Sequence, residues 1–369
     1  MNTQPDPNFS RVRTALLLQG EPDRVPLAEG GIDGEVKTAF LGRPIAGLKD
    51  EVDFWVKAGY DFVPLPCGIR LMFSMGFSSD SQRQLGDRVS STIHFQRSRY
   101  SVYGDGFKER AWAEEHKGVI TSRADFDTFQ WPEPDDFDYS PFEQIGALLP
   151  PAMKVIAYQG WIFTPVWIMM GFEAFSFALR EDPGLVEAMF ERVGDLQYRI
   201  FRKLIEYDCV AASWMPDDIA YSTGLMVNPA VFRKNLFPWF KRMAEDCATR
   251  DKPLIYHSDG DLTDVLPDIV DCGFNALHPV EPKAMDIRKV KREYGKRLCL
   301  MGNLDLGYTL TRGTPAEVEA EVMGLLRDIA PGGGYCVGSA NSVTEYVPLA
   351  NFNAMRETAL RCGKYPIKI

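Results

Sequence analysis

The stretch that decides the fold is Pro253-Leu254-Ile255-Tyr256-His257-Ser258-Asp259-Gly260. Its first half is apolar and β-prone, and its last residues are polar and turn-forming. That change of character reads as a buried strand surfacing at its carboxyl end with a histidine and an acid. Side chains two apart on a strand point the same way, so His257 and Asp259 face one pocket if the strand persists that far. A histidine beside a carboxylate binds metal, moves protons or recognises a ligand; the bland alternative is a satisfied histidine at a strand end.

Runs of the same kind recur along the chain. Strand-like segments fall at Val25–Ala28, Asp61–Pro66, Met153–Ala157, Val210–Met215, Pro253–Tyr256, Ala276–Val280, Leu298–Gly302 and Tyr335–Gly338. Helical periodicity covers Arg11–Gln19, Lys49–Ala58, Gly171–Leu179, Leu185–Glu206, Pro229–Thr249, Leu262–Val270, Ile287–Tyr294, Pro315–Ile329 and Leu349–Arg361. Asp182-Pro183, Asn228-Pro229 and Thr314-Pro315, the last with Glu317 behind it, mark helix starts. Strands alternating with helices in this number favour a single α/β domain over 1–369, a (β/α)8 TIM-type barrel rather than a doubly wound sheet. Between residues 68 and 150 the rhythm breaks into short alternating pieces (Thr92–Tyr103) and a Pro/Asp-rich tract (Trp131–Tyr139). This part reads as an insertion or cap after the second strand, built of hairpins and loops. Neither GxGxxG after the first strand nor GxxxxGK[ST] occurs, which argues against nucleotide binding.

Composition sets further bounds. Of 369 residues, 45% are hydrophobic and 25% charged, with a formal net charge of −10 and no long basic run. An acidic surface disfavours nucleic acid and anionic membranes as main partners. The seven cysteines are scattered and form no CxxC pair, as expected of buried thiols in a reducing cytosol. Met1 to Ser10 is polar, and the most apolar run, Trp161–Phe177, is broken by Pro165, Gly171 and Glu173. The expectation is a cytoplasmic protein without a membrane span.

In a barrel of this kind the reactive groups gather where strands run into the following helices. Here those ends carry Glu29 and Asp33, Asp217 and Asp218, His257 and Asp259, His278 and Glu281, Asn303 and Asp305, and Ser339 with Asn341 and Ser342. Any one of these types also serves in turns and caps, but their recurrence at strand after strand points to a polar pocket. Tyr158–Met170, with Trp161, Trp167, Met169 and Met170, supplies material for an apolar slot or for packing.

The ordered set of segments resembles the uroporphyrinogen decarboxylase superfamily, which also holds corrinoid-linked methyltransferases. The resemblance runs through Arg11–Pro26, Trp167–Glu173, Asp217-Asp218, Ile255–Gly260, Asp264–Pro267, Gly273–Asp286, Lys291–Gly295, Gly302–Asp305, Ala330–Tyr335 and Pro348–Asn351. It implies a (β/α)8 barrel with its site at the carboxyl end. Two departures narrow the function. Decarboxylases of this kind place an arginine-rich stretch after the first strand, where this chain has Ala28-Glu29-Gly30-Gly31-Ile32-Asp33; acids there repel a polyanionic porphyrinogen. The thiol-methylating branch holds zinc with His-x-Cys and a later Cys. At those positions stand His257-Ser258-Asp259 and Asn341, a harder, oxygen-rich set in which His257, Asp259 and Asn341 would be the metal ligands.

The resemblance therefore leads to a methyltransferase that takes a methyl group from a small methylated substrate, a methoxy compound with methoxy-aromatics among the candidates, to a corrinoid. The corrinoid is expected on a separate partner protein, because the chain has no Asp-x-His-x-x-Gly cobalamin signature. His257, Asp259, Asp218 and Glu281 are the expected catalytic residues, supplying a proton or holding zinc. Glu29, Asp33, Tyr158, Trp167, Asp217, Asn303, Asp305 and Asn341 are the expected substrate contacts. Decarboxylation of a small acid, with Asp218 or His257 protonating the carbanion and Arg70 near the carboxylate, is the rival reading. A binding homologue without chemistry is another. A homodimer is compatible with the sequence.

Overall fold

The strands of the chain are β1 (Phe62–Pro66), β2 (Phe95–Ser101), β3 (Phe107–Ala113), β4 (Lys154–Tyr158), β5 (Val210–Pro216), β6 (Ala220–Tyr221), β7 (Gly224–Leu225), β8 (Leu254–His257), β9 (Ala276–His278), β10 (Cys299–Leu304) and β11 (Tyr335–Ser339). The computed structural model describes residues 6–67, 95–101, 107–113 and 118–369. Seven of the strands form one sheet in the order β1-β4-β5-β8-β9-β10-β11, every neighbouring pair parallel. A sheet covered on both faces needs apolar side chains on both. Strands β8, β9, β10 and β11 are accordingly buried at every position.

The first expected strand enters this α/β barrel-type fold differently. Val25–Ala28 forms no ladder of its own and meets β11 through an isolated parallel bridge, Leu27 to Val337. The Ala28 N–H donates to the Val337 carbonyl at 2.8 Å, and the Val337 N–H donates to the Pro26 carbonyl at 2.9 Å. Pro26 has no N–H with which to extend the ladder to its other side.

Two apolar clusters hold the architecture together. The inner one takes Ala28, Phe62, Ile156, Ala212, Trp214, Ile255, Ala276, Cys299, Met301 and Cys336 from the strands, and Phe9, Val12, Ala15 and Leu16 from the helix Phe9–Leu16. That helix closes the amino end, its start capped by Asn8, whose side chain accepts from the Ser10 N–H. The outer cluster lies between sheet and helices, where Phe163 meets Phe175, Phe190 and Phe232. Each such ring, fully buried, contributes about 1.5–3 kcal/mol by leaving water.

Helix bounds follow local chemistry. Ile287–Tyr294 and Pro315–Ile329 begin and end where periodicity places them, the second with a reciprocal Thr314/Glu317 capping box. Pro229–Thr249 is two helices, Pro229–Asn235 and Phe237–Thr249, because Pro238 cannot donate into a continuous ladder. Gly34–Leu41 and Phe163–Met170 are helices that the periodicity does not show.

Within the expected insertion, β2 and β3 pair antiparallel as a hairpin. Residues 118–150 contribute the short helices Arg123–Thr128 and Ser140–Ile145. Arg123–Thr128 and the turn Pro134–Asp136 lie on the long helix Pro183–Leu204, the turn fastened by Arg192 and Arg199 to Glu133 at 2.8 and 2.9 Å and by Lys203 to Asp135 at 2.6 Å, while Ser140–Ile145 packs on Leu48–Ala58. Much of the expected cap, with Arg70, falls outside the described residues. Among the described residues no helix is long and apolar enough to cross a membrane.

Candidate functional site

Strand β8 ends at His257, so the strand does not carry Asp259 round to the histidine's side. A turn does it instead. Gly260 sits at φ +87°, where an added Cβ would come within 2.6 Å of the Ala220 backbone. This close approach folds Asp259 back, and its Oδ1 lies 3.9 Å from His257 Nε2. From the end of β5, Asp218 Oδ1 comes to 3.7 Å of the same nitrogen. The Asp259 N–H donates to Asp218 at 2.9 Å, and the Gly260 N–H donates to Glu281 Oε2 at 3.0 Å. Asn341, beyond β11, donates its amide to Asp259 Oδ2. Backbone donors of one turn thus gather acids from three strand ends around a single imidazole.

Exposure grades across the cluster, from 8% for the His257 side chain to 30% for Asp259 and 50% for Asp218. Solvent therefore reaches the acids and not the ring. Among the described residues no lysine or arginine pairs with Asp218, Asp259 or Glu281, and Asp259 Oδ1 is buried without a hydrogen-bond partner. Burial pushes the Asp259 carboxyl well above the usual carboxylate range, the charges of Asp218 and Glu281 push it further, and Asn341 offsets part of this. Burial also lowers the His257 pKa, against the pull of Asp218. Both shifts disfavour charge, burial favouring the neutral imidazole and the protonated carboxyl.

Two further groups complete the surroundings. His278, at the end of β9, brings its Nδ1 to 2.7 Å of His257 Nδ1, the rings stacked at 5.0 Å. Tyr158, at the end of β4, stands edge-on to Trp161 at 5.2 Å and to Trp214 at 5.9 Å. Its hydroxyl pKa is raised by burial and then by Asp218 and Asp259, so it belongs to the same pocket.

The other expected contacts are held elsewhere. Glu29 is fully buried and accepts from the Ser339 N–H and hydroxyl, both at 2.7 Å; burial lifts its pKa to about 8. Asp33 accepts from the Glu345 N–H at 2.9 Å, pinning the loop after β11. Asp217 is fully buried, accepts from the N–H groups of Ile162, Phe163 and Thr164 and from the Thr164 hydroxyl, and so caps the helix Phe163–Met170. Desolvation lifts its pKa to about 6. Asn303 donates to the Val280 carbonyl, and Asp305 accepts from the Gly307 and Tyr308 N–H groups at 2.8 and 2.9 Å. Trp167 packs edge-on against Phe172 at 5.7 Å. These six side chains brace the loops around the pocket rather than join the cluster.

Asp218, His257 and Asp259 each offer one ligand atom, all within 4.8 Å of one another. The Asn341 amide adjoins this trio through Asp259 Oδ2. The residues fit a divalent cation: the donors converge, one carboxylate oxygen lacks a partner, and no side-chain cation compensates the charge. The donor set is hard, and none of the seven cysteines belongs to it.

A parallel α/β barrel-type sheet with its polar cluster at the carboxyl ends defines a broad class of enzymes. Within that class, the family model for uroporphyrinogen decarboxylase (URO-D) matches residues 115–361, and the chain belongs to this family of decarboxylases and methyltransferases. The methylcobamide:CoM methyltransferase MtaA of Methanosarcina barkeri is 29% identical over 134 residues, covering 35% of this chain and 36% of the relative. The uroporphyrinogen decarboxylase of Chlorobaculum tepidum is 32% identical over 98 residues, 26% of each chain. The matches thus span about a third and about a quarter of these relatives. A solved methyltransferase structure from Methanosarcina mazei superposes with a TM-score of 0.66 at 18% identity, over 96% of this chain and 99% of that one. It establishes a shared fold.

Proposed function

We propose that the protein is a methyltransferase that moves a methyl group from a small methoxy compound to a corrinoid carried by a partner protein. The observation that carries this reading is the cluster of Asp218, His257 and Asp259, in which burial and the neighbouring acids raise the Asp259 pKa. Breaking a methyl–oxygen bond leaves the electron pair on oxygen, and an alkoxide or phenolate is a poor leaving group unless it is protonated or charge-stabilised. Asp259 is placed to give that oxygen a proton. The methyl group passes to the partner's reduced corrinoid, which contributes the electron pair of the new bond. Tyr158 and Trp161 offer an aromatic wall for an apolar donor. Asp218, His257 and Asp259 are also the residues that would hold a divalent cation, which when bound supplies Lewis-acid stabilisation of the leaving oxygen.

The likeness to MtaA supports methyl transfer to or from a corrinoid, while the chain's own ligands favour an oxygen rather than a thiol substrate. Thiol activation in the family rests on thiolate-bound zinc, and here acids occupy the cluster. The test supplies a cognate corrinoid protein and a panel of methoxy compounds and follows methyl-corrinoid by its visible spectrum. Formation that is lost in Asp259→Asn supports the reading; no methyl-corrinoid with any donor sinks it. The match to a decarboxylase keeps a second reaction in view, protonation of a carbanion by Asp259 after loss of carbon dioxide. Carbon dioxide released from a small non-porphyrin acid, without methyl-corrinoid, is the outcome that selects it.

A further inference from the structure

Behind the acid cluster lies a contact that the proposed reaction leaves unused. His278 is fully buried, and its Nδ1 lies 2.7 Å from the Nδ1 of His257. Two imidazoles joined nitrogen to nitrogen share one hydrogen, so one ring donates and the other accepts. The choice of donor fixes the far side of His257. If His278 donates, neutral His257 carries its own hydrogen on Nε2, facing Asp218 and Asp259. If His257 donates, its Nε2 lone pair faces those carboxylates, and His278 carries its hydrogen on Nε2. A cation held by the trio is compatible only with the second arrangement.

The surroundings leave the rings no other orientation. His257 and His278 stack at 26°, and His278 stands edge-on to Trp214 at 4.8 Å. Gly302, at φ +88°, makes the room, since a Cβ there would come within 3.2 Å of His278 Nε2. That Nε2 makes no well-formed hydrogen bond among the described residues, but the Ser339 backbone carbonyl acts on the ring as an acceptor, which favours a hydrogen on Nε2.

We propose that His278 is a positioning residue for His257: it fixes the ring plane and, when a divalent cation occupies the trio, accepts the His257 Nδ1 hydrogen so that the Nε2 lone pair faces the cation. This rests on the cation-holding part of the proposed function. Passing from one arrangement to the other moves the bridging hydrogen from His278 to His257. It also replaces the hydrogen on His257 Nε2 by one on His278 Nε2, through solvent, and neither ring changes charge.

Co²⁺ is the probe, titrated into the full-length protein and into His278→Leu and His278→Asn while its visible d–d absorption is followed. Leucine removes the nitrogen at similar volume, and asparagine returns an acceptor near the former Nδ1. The expected result is Co²⁺ affinity about 10–100-fold weaker in the leucine variant and largely recovered in the asparagine variant, with unchanged thermal unfolding. Wild-type affinity in His278→Leu, or equal weakening in both folded variants, overturns the proposal. Imidazole ¹H–¹⁵N spectra of the wild-type protein with Zn²⁺, which has only four histidines to assign, give a reading that needs no variant. A hydrogen on His257 Nδ1 coupled to His278 Nδ1 supports the proposal, and a hydrogen on His257 Nε2 in the Zn²⁺-loaded protein overturns it. If the wild-type protein takes up neither ion, the cation reading fails by itself. The metal-free spectrum then decides the positioning role: a bridging Nδ1 hydrogen sustains it and its absence ends it.

Discussion

The two ends of the sheet use clustered acids in opposite ways. At the amino end, Arg11 forms a two-pronged pair with Asp23 at 2.8 and 2.7 Å and reaches Asp61 at 2.6 Å. Arg24 holds the same Asp61 at 2.9 and 3.0 Å, and the Asn8 N–H completes it at 2.9 Å. At the carboxyl end, Asp218, Asp259 and Glu281 meet, among the described residues, backbone N–H groups, an amide and a neutral imidazole. Acids compensated by arginines tie the first helix to the first sheet strand. Acids gathered without a counter-charge destabilise the fold locally, and such an arrangement is retained where a ligand or a reaction uses it.

The largest effect belongs at the compensated end. Asp61→Ala strands Arg11 and Arg24, whose side chains are 5% and 13% exposed, without their shared partner. Removing one member of a buried charge network costs about 3–5 kcal/mol. Urea unfolding is expected to show a loss of this size. A loss below about 1 kcal/mol would mean that water, not Asp61, solvates the arginines.

The same chemical change at the open end has the opposite signature. Asp259→Asn is expected to slow methyl transfer by about 10²–10⁴-fold, the usual worth of a placed proton donor. Stability should stay level or rise by up to about 1 kcal/mol, because the amide never takes up the charge that Asp218 and Glu281 oppose. Substantial destabilisation with full activity would reverse the contrast between the two ends.

How far the sequence anticipates this structure depends on whether the deciding contact is local. Seven strands and most helices announce themselves through periodicity and caps that lie within a few residues. The helix Phe163–Met170 does not, because its cap is Asp217, more than fifty residues away in the chain. Its own residues are nearly all apolar, so no polar face marks a helical period. The first strand is cut to a single bridge for a local reason, the missing N–H of Pro26. The site divides in the same manner. The polar strand ends bring His257, Asp259, Asp218, Glu281 and Asn341 together. Nothing local separates them from Asp33, Asp217 and Asn303, whose partners are groups that only the fold supplies, whereas Asp305 accepts from Gly307 and Tyr308, a turn within its own stretch of chain. Nor does local sequence show that Asp218 joins His257 and Asp259, since that approach is set by a glycine turn and not by strand alternation.

Glu29 lies between the two extremes, an acid with donors but no cation. Burial raises its pKa from 4.5 to about 8. Near pH 4.5 and below, folded and unfolded chains both hold the proton, and the residue costs nothing. Between about 4.5 and 8 the unfolded chain releases it while the folded chain keeps it, so stability falls as pH rises and levels off above. Glu29→Gln keeps an acceptor for the Ser339 N–H and a donor for its hydroxyl. It is therefore expected to be nearly neutral near pH 4.5 and stabilising by on the order of 4 kcal/mol at pH 8. Melting curves at the two pH values check this; a gain that is equal at both would show that Glu29 titrates normally.

The smallest expected effect sharpens the open end most. Asn341 donates to the Asp259 oxygen that faces away from Asp218, and this donation favours the ionised carboxylate. A general acid works only while protonated, so the transfer rate should fall as pH rises through the Asp259 pKa. Asn341→Ala removes one donor to the ionised form and should push that pKa higher. One hydrogen bond to a charged group is worth roughly 1–2 kcal/mol, which corresponds to about one pH unit. The alkaline limb of the rate profile should move up by about that much, with a change of only a few-fold at its plateau. A limb that stays in place would show that the group being titrated is not Asp259, and the proton for the leaving oxygen would have to come through the imidazole or from water on a bound cation.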